Sequence, residues 1–98
     1  MLALIVVEAN PVRAQAALAI AAAAAALGRE VTLLFDGPSA ALLDDLGEAL
    51  TTAQELGVQI TACATGLSDL GRPPPPGIAT GGLVAFLAAS GDAQPVIV

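Results

Sequence analysis

Apolar residues follow two rhythms along this chain. Leu2–Val7 is an unbroken apolar run, the pattern of a strand buried on both faces of a parallel sheet. Asn10 then offers a side-chain cap, Pro11 suits the first helical position and Gly28 suits the exit, which predicts a helix over about Pro11–Leu27. At roughly 100° per residue, Leu18 points nearly opposite to Ile20 and Leu27, and alanine fills most positions between them. Large apolar groups on two sides imply two buried faces, one against the sheet and one against a partner subunit.

Glu30–Phe35 reads as a second strand, and Asp36-Gly37-Pro38-Ser39 as a turn into helical sequence. Ser39–Leu56 carries Leu42, Leu43, Leu46, Leu50 and Leu56, with Gly47 marking a break and Gly57 the end. In a third strand, Val58–Cys63, the residues Val58, Ile60 and Ala62 face one way while Gln59, Thr61 and Cys63 face the other. Such alternation predicts a less buried strand at the sheet edge. Ala64–Gly71 has the character of a helix start, and Arg72–Gly77, with four prolines, reads as a rigid extended loop rather than an adaptor ligand. Thr80 is expected to cap a last helix over about Gly81–Ser90, before a final strand at Pro95–Val98.

No repeat or boundary interrupts this order, so residues 1–98 form one domain. Strands alternating with helices imply an α/β fold of three layers, α/β/α, around a small parallel sheet of about four strands. The preferred order is 3-2-1-4, which leaves the third strand outermost.

Composition narrows the picture. The 98 residues are 56% hydrophobic but only 2% aromatic, and so short a chain cannot readily hide that much apolar surface. A homo-oligomer is the expected outlet. Nine acids against three arginines give a net charge of −6, with no basic stripe for a nucleic-acid backbone. The apolar stretch Ala14–Leu27 falls short of the roughly 20 residues of a spanning helix. Reading the start as a signal peptide would delete a strand and a helix that the pattern requires. One cysteine rules out an intrachain disulfide framework and a cysteine zinc cluster, and no cofactor or metal motif is present. A cytoplasmic, reducing location without membrane or nucleic-acid partners is expected.

Candidate chemistry gathers at the carboxyl ends of the strands, where such sheets bind ligands. Those ends carry Glu8, Asn10, Asp36 and Cys63, with Arg13 in the first turn of the first helix. Thr65, Ser68 and Arg72 follow Cys63, and Thr80, Gly81 and Gly82 open the last helix. With no histidine or lysine in the chain, Cys63 is the one candidate nucleophile. Arg13, Arg72 and helix-start N–H groups would favour its thiolate, while Glu8 and Asp36 would oppose it. A cation in a first turn opposes the helix dipole by about 0.3–1 kcal/mol, which an anionic ligand or Glu8 would offset. Gly81-Gly82 would let backbone approach an anion, or serve a tight turn. From the residues alone Cys63 is either a reactive thiol or a small buried hydrophobe.

Taken in order, these pieces resemble the DsrE/DsrF-like family of small sulfur-relay proteins, over nearly the whole chain. The resemblance rests on Asn10-Pro11 opening an alanine-rich helix and on Gly28-Arg29-Glu30-Val31-Thr32 running into Phe35-Asp36-Gly37. It continues in Leu56-Gly57-Val58 before Ala62-Cys63, in Gly71, and in Gly81-Gly82-Leu83 with Phe86-Leu87. It implies a parallel α/β (YchN-like) fold, assembly into trimers or hexamers, and sulfur carried as a persulfide on Cys63 between donor and acceptor proteins. Relay members often place arginine just before the glycine that matches Gly71, whereas this chain has Asp69 and Leu70. In that respect it looks more like the family's peroxiredoxin-like branch. With no second cysteine, a complete peroxidase cycle would need an external thiol. The alternative function is a non-catalytic oligomeric module that binds a small ligand or a protein and keeps Cys63 as a structural residue.

Overall fold

In a parallel sheet the right-handed crossover couples the direction in which the chain moves to the face its helix covers. Three connections of this chain move one way across the sheet and the last moves back. A computed structural model describes residues 1–98. The elements are β1 (Leu2–Val6), α1 (Pro11–Ala26), β2 (Val31–Phe35), a 3-10 helix (Gly37–Asp45), α2 (Gly47–Glu55), β3 (Gln59–Cys63), α3 (Ala64–Leu70), β4 (Ala79–Gly81), α4 (Leu83–Ser90) and β5 (Pro95–Ile97). The sheet order is β4-β3-β2-β1-β5 with every pairing parallel. The steps from β1 to β4 therefore put α1, the 3-10 helix, α2 and α3 on one face. The return from β4 to β5 puts α4 alone on the other.

The two faces differ in depth. Leu4, Val6, Leu33, Phe35, Ile60 and Ala62 look toward α1 and its neighbours, in a core of 21 buried residues that also takes Leu18, Leu43, Leu50 and Leu67. On the opposite face Ala3, Ile5 and Leu34 are covered by a single large side chain, Phe86 of α4, in a cluster of four. Helix α1 starts as its sequence dictates. Asn10 Oδ1 accepts from the N–H groups of Val12 and Arg13 at 3.0 and 3.3 Å, and Pro11 occupies the first turn.

Three sequence expectations need correction. The sheet has five strands, because Ala79-Thr80-Gly81 pairs with β3 through Thr61–Ala79, Ala62–Thr80 and Cys63–Gly81. The third strand is consequently not outermost, although the other four strands keep the expected order. A three-residue strand of small side chains after a proline loop has no apolar run to announce it. Thr80 does not cap the last helix: its backbone belongs to β4, and Gly82 occupies the cap position without a side-chain bond. The break expected at Gly47 is present, a 3-10 helix to Asp45 preceding α2 from Gly47. No helix is long and apolar enough to cross a membrane.

The chain by itself buries one side of α1. Leu18 is 1% exposed, whereas Ile20 is 48% exposed and Val12 and Leu27 lie open. Leu18→Ala is therefore expected to cost about 2–5 kcal/mol, read as a lower urea midpoint. Ile20→Ala should change stability by less than about 0.5 kcal/mol in an isolated chain. Comparable losses at both positions would mean that the outer side of α1 is covered in solution.

Candidate functional site

Ligands of open parallel sheets gather beyond the carboxyl ends of the strands. At that end the connections that leave β3 and β4 part to opposite faces. From Cys63 the chain turns into α3 on the α1 face, while from Gly81, its register partner, it passes through Gly82 to α4 on the other. Cys63 thus stands at the carboxyl end of β3, where these two connections part.

Locally, Cys63 ends β3 in an extended conformation and occupies the cap position of α3, its Sγ accepting from Gly66 N–H at 3.4 Å. Sulfur is a weak acceptor, so this bond orients the thiol more than it stabilises the helix. The side chain is half-buried and unpaired. It borders a cavity of about 270 Å³, walled by Gly37, Pro38 and Ala41 of the 3-10 helix and by Thr65, Gly66, Asp69 and Leu70 of α3. That volume lies just below the roughly 300 Å³ at which small-molecule pockets begin.

Two contacts hold the walls in place. Ser39, fully buried, has its Oγ 2.7 Å from Val6 O and 2.9 Å from Asp36 O, and its N–H donates to Val7 O at 3.1 Å. The 3-10 helix is thereby pinned to the carboxyl end of β1. Gly66 lets α3 approach that helix, since a Cβ built there would lie 2.8 Å from Gly37 O and 3.2 Å from Ala40 Cβ. Gly71 closes α3 with φ +65, a conformation that glycine adopts without strain.

The polar rim expected from the sequence separates into several places. Thr65 shares the cavity with Cys63. Arg13 pairs with Glu8 at 3.7 Å, and Arg72 pairs with Asp44 at 3.2 Å, both pairs about half exposed and outside the cavity wall. Asp69 is the one charged side chain that lines the cavity. Thr80, Gly81 and Gly82 border a separate groove of about 160 Å³ on the α4 face, with Thr32, Gln59 and Thr61. Ser68 is exposed and belongs to neither. Asp36 precedes the 3-10 helix without a side-chain capping bond. No group of three His, Cys, Asp or Glu side chains gathers that could hold a metal ion.

The structure brings Cys63 and Thr65 to one cavity, whose opposite wall the sequence reading did not include. Gly37-Pro38 read only as a turn, and nothing in a single chain says that residues some 25 positions before Cys63 close over it. Comparison with protein-family models and with curated proteins finds no match for the chain.

Gly66→Ala is expected to destabilise the fold by about 1–3 kcal/mol, because the obstructing atom is backbone and the 3-10 helix must shift. A lower urea midpoint together with a changed rate of Cys63 alkylation would register that shift; wild-type values for both would show that the contact is slack. Arg13→Gln and Arg72→Gln should leave the alkylation rate unchanged, since each guanidinium is engaged by a carboxylate away from the thiol. A slowed reaction in either variant would place that arginine at the site.

Proposed function

We propose that this chain is a cytoplasmic sulfur carrier that holds sulfane sulfur as a persulfide on Cys63. The observation that carries this reading is the position of the one cysteine: at the carboxyl end of a parallel strand, half-buried, beside a cavity of about 270 Å³. The resemblance to DsrE/DsrF-like sulfur-relay proteins supplies the chemistry.

In the loading step the Cys63 thiolate attacks the outer sulfur of a donor persulfide. A new S–S bond forms at Sγ, the donor's own S–S bond breaks, and the donor leaves as a thiolate. In the delivery step an acceptor nucleophile attacks that terminal sulfur and Cys63 departs as the thiolate. The two steps balance without an added oxidant or reductant. The Gly66 N–H, 3.4 Å from Sγ, is placed to stabilise negative charge on sulfur in both. Lacking a second cysteine, the chain has no internal thiol to discharge the persulfide, so delivery depends on the acceptor. Self-association into trimers or hexamers belongs to the same proposal, supported by the resemblance and by the apolar side chains left exposed on α1 and α4.

Incubating the protein with a low-molecular-weight persulfide donor and weighing it intact tests the reading. The expected product is heavier by one sulfur atom, reverts with a thiol reductant, and is absent in Cys63→Ser. An unchanged mass under donor excess would leave a binding module with a structural cysteine as the better account.

A further inference from the structure

At the far edge of the sheet, β5 presents a strand that nothing in the chain covers. Its pairing with β1 is parallel, with Ile97 opposite Ile5, and Val98 N–H donates to Ile5 O at 2.9 Å. In a parallel ladder of this register alternate residues serve the neighbouring strand. Val96 and Val98 therefore turn their backbone groups toward β1, while the N–H and C=O of Ile97 point outward. The other outward residue, Pro95, has no N–H to satisfy. Along this edge, Ile97 alone offers both a donor and an acceptor.

The side chains beside that edge are apolar and exposed. Ile97 is 72% exposed and shares the sheet face of Ile5, which packs against Phe86. On α4, Ala85 and Ala89 border the threonine-lined groove over β2 and β3. At roughly 100° per residue, Leu83 and Leu87 then fall on the opposite flank, toward β1 and β5. Both are more than two-fifths exposed. Leu83, Leu87 and Ile97 thus form one apolar strip along the open strand.

Charge selects the occupant. The chain carries nine acids and a net charge of −6, yet the whole stretch Pro73–Val98 contains one charged residue, Asp92. Two copies of so acidic a chain approach each other at least cost across such a surface. Exposed edge strands are commonly blunted by charged side chains or bulges, and β5 has neither charge nor bulge. A longer strand from another protein would meet the missing N–H at Pro95. A second β5 laid antiparallel, with Ile97 opposite Ile97 of the second copy, exchanges both backbone hydrogen bonds across a two-fold axis.

We infer that two copies of this chain join through β5 and the Leu83–Leu87 flank of α4, continuing the sheet from one subunit into the next. The inference rests on the self-association proposed above and names the surface that performs it. Ile97→Pro tests it directly, because it removes the outward N–H while the ladder to β1, which does not use that group, stays complete. Leu87→Glu tests the flanking strip independently of the backbone. Light scattering at micromolar concentration should give the unmodified protein an even multiple of 9.5 kDa. Either variant should lower that mass at least twofold while keeping the helical circular dichroism spectrum. Should Ile97→Pro unfold, Leu87→Glu decides. A 9.5 kDa monomer or an odd-numbered assembly of the unmodified protein overturns the inference. An even-numbered assembly indifferent to the variants overturns this surface but leaves self-association standing. Persulfide loading on Cys63, read separately, bears on neither outcome.

Discussion

Handedness is the constraint on which the rest of this structure depends. A parallel strand pair connected through a helix is right-handed, so the face a helix covers follows from the direction its connection travels. The path from β1 to β4 travels one way and fills one face with α1, the 3-10 helix, α2 and α3. The single return to β5 leaves the other face to α4 alone. From this one asymmetry come the deep core on one side, the shallow cluster around Phe86 on the other, and the parting of connections beside Cys63.

The position of the thiol is thus a consequence of topology, while its surroundings are a consequence of close packing. Gly66 admits the backbone of Gly37, Ser39 ties the 3-10 helix to the end of β1, and the space that remains is the cavity. Its electrostatic character is set by what does not enter. Arg13 and Arg72, the two arginines near this end of the sheet, are engaged by Glu8 and Asp44, and the cavity wall keeps Asp69. The group placed to support charge on this sulfur is a backbone N–H, that of Gly66, rather than a cation.

A shallow second layer has a further consequence at the surface. With eight residues in α4 and one large side chain directed inward, apolar groups on its flanks remain uncovered, as do those of β5. Alanine-rich helices add to this, since their small side chains cover less of their neighbours than leucine would. The high hydrophobic content that a short chain could not hide is therefore found at identifiable places: the outer side of α1, the flank of α4 and the free edge strand.

Much of this was legible in the sequence because it is encoded locally. The run Leu2–Val7, the Asn10-Pro11 start, the break at Gly47 and the alternation of Gln59–Cys63 each declare an element through spacing and turn chemistry. Their alternation then restricts the fold to a parallel α/β sandwich with Cys63 at a strand end. Other features were decided only by tertiary structure. Ala79-Thr80-Gly81 becomes a strand because β3 offers it a ladder, not because its side chains prefer one. Gly37, Pro38 and Ala41 close over Cys63 because Ser39 is bonded to the end of β1. Arg72 turns to Asp44 because Gly71 redirects the chain there. Periodicity and capping act over a few residues and can be read from one segment at a time. Partnership between distant segments is settled by which surfaces remain unpaired once the whole sheet has formed, and no single segment contains that information.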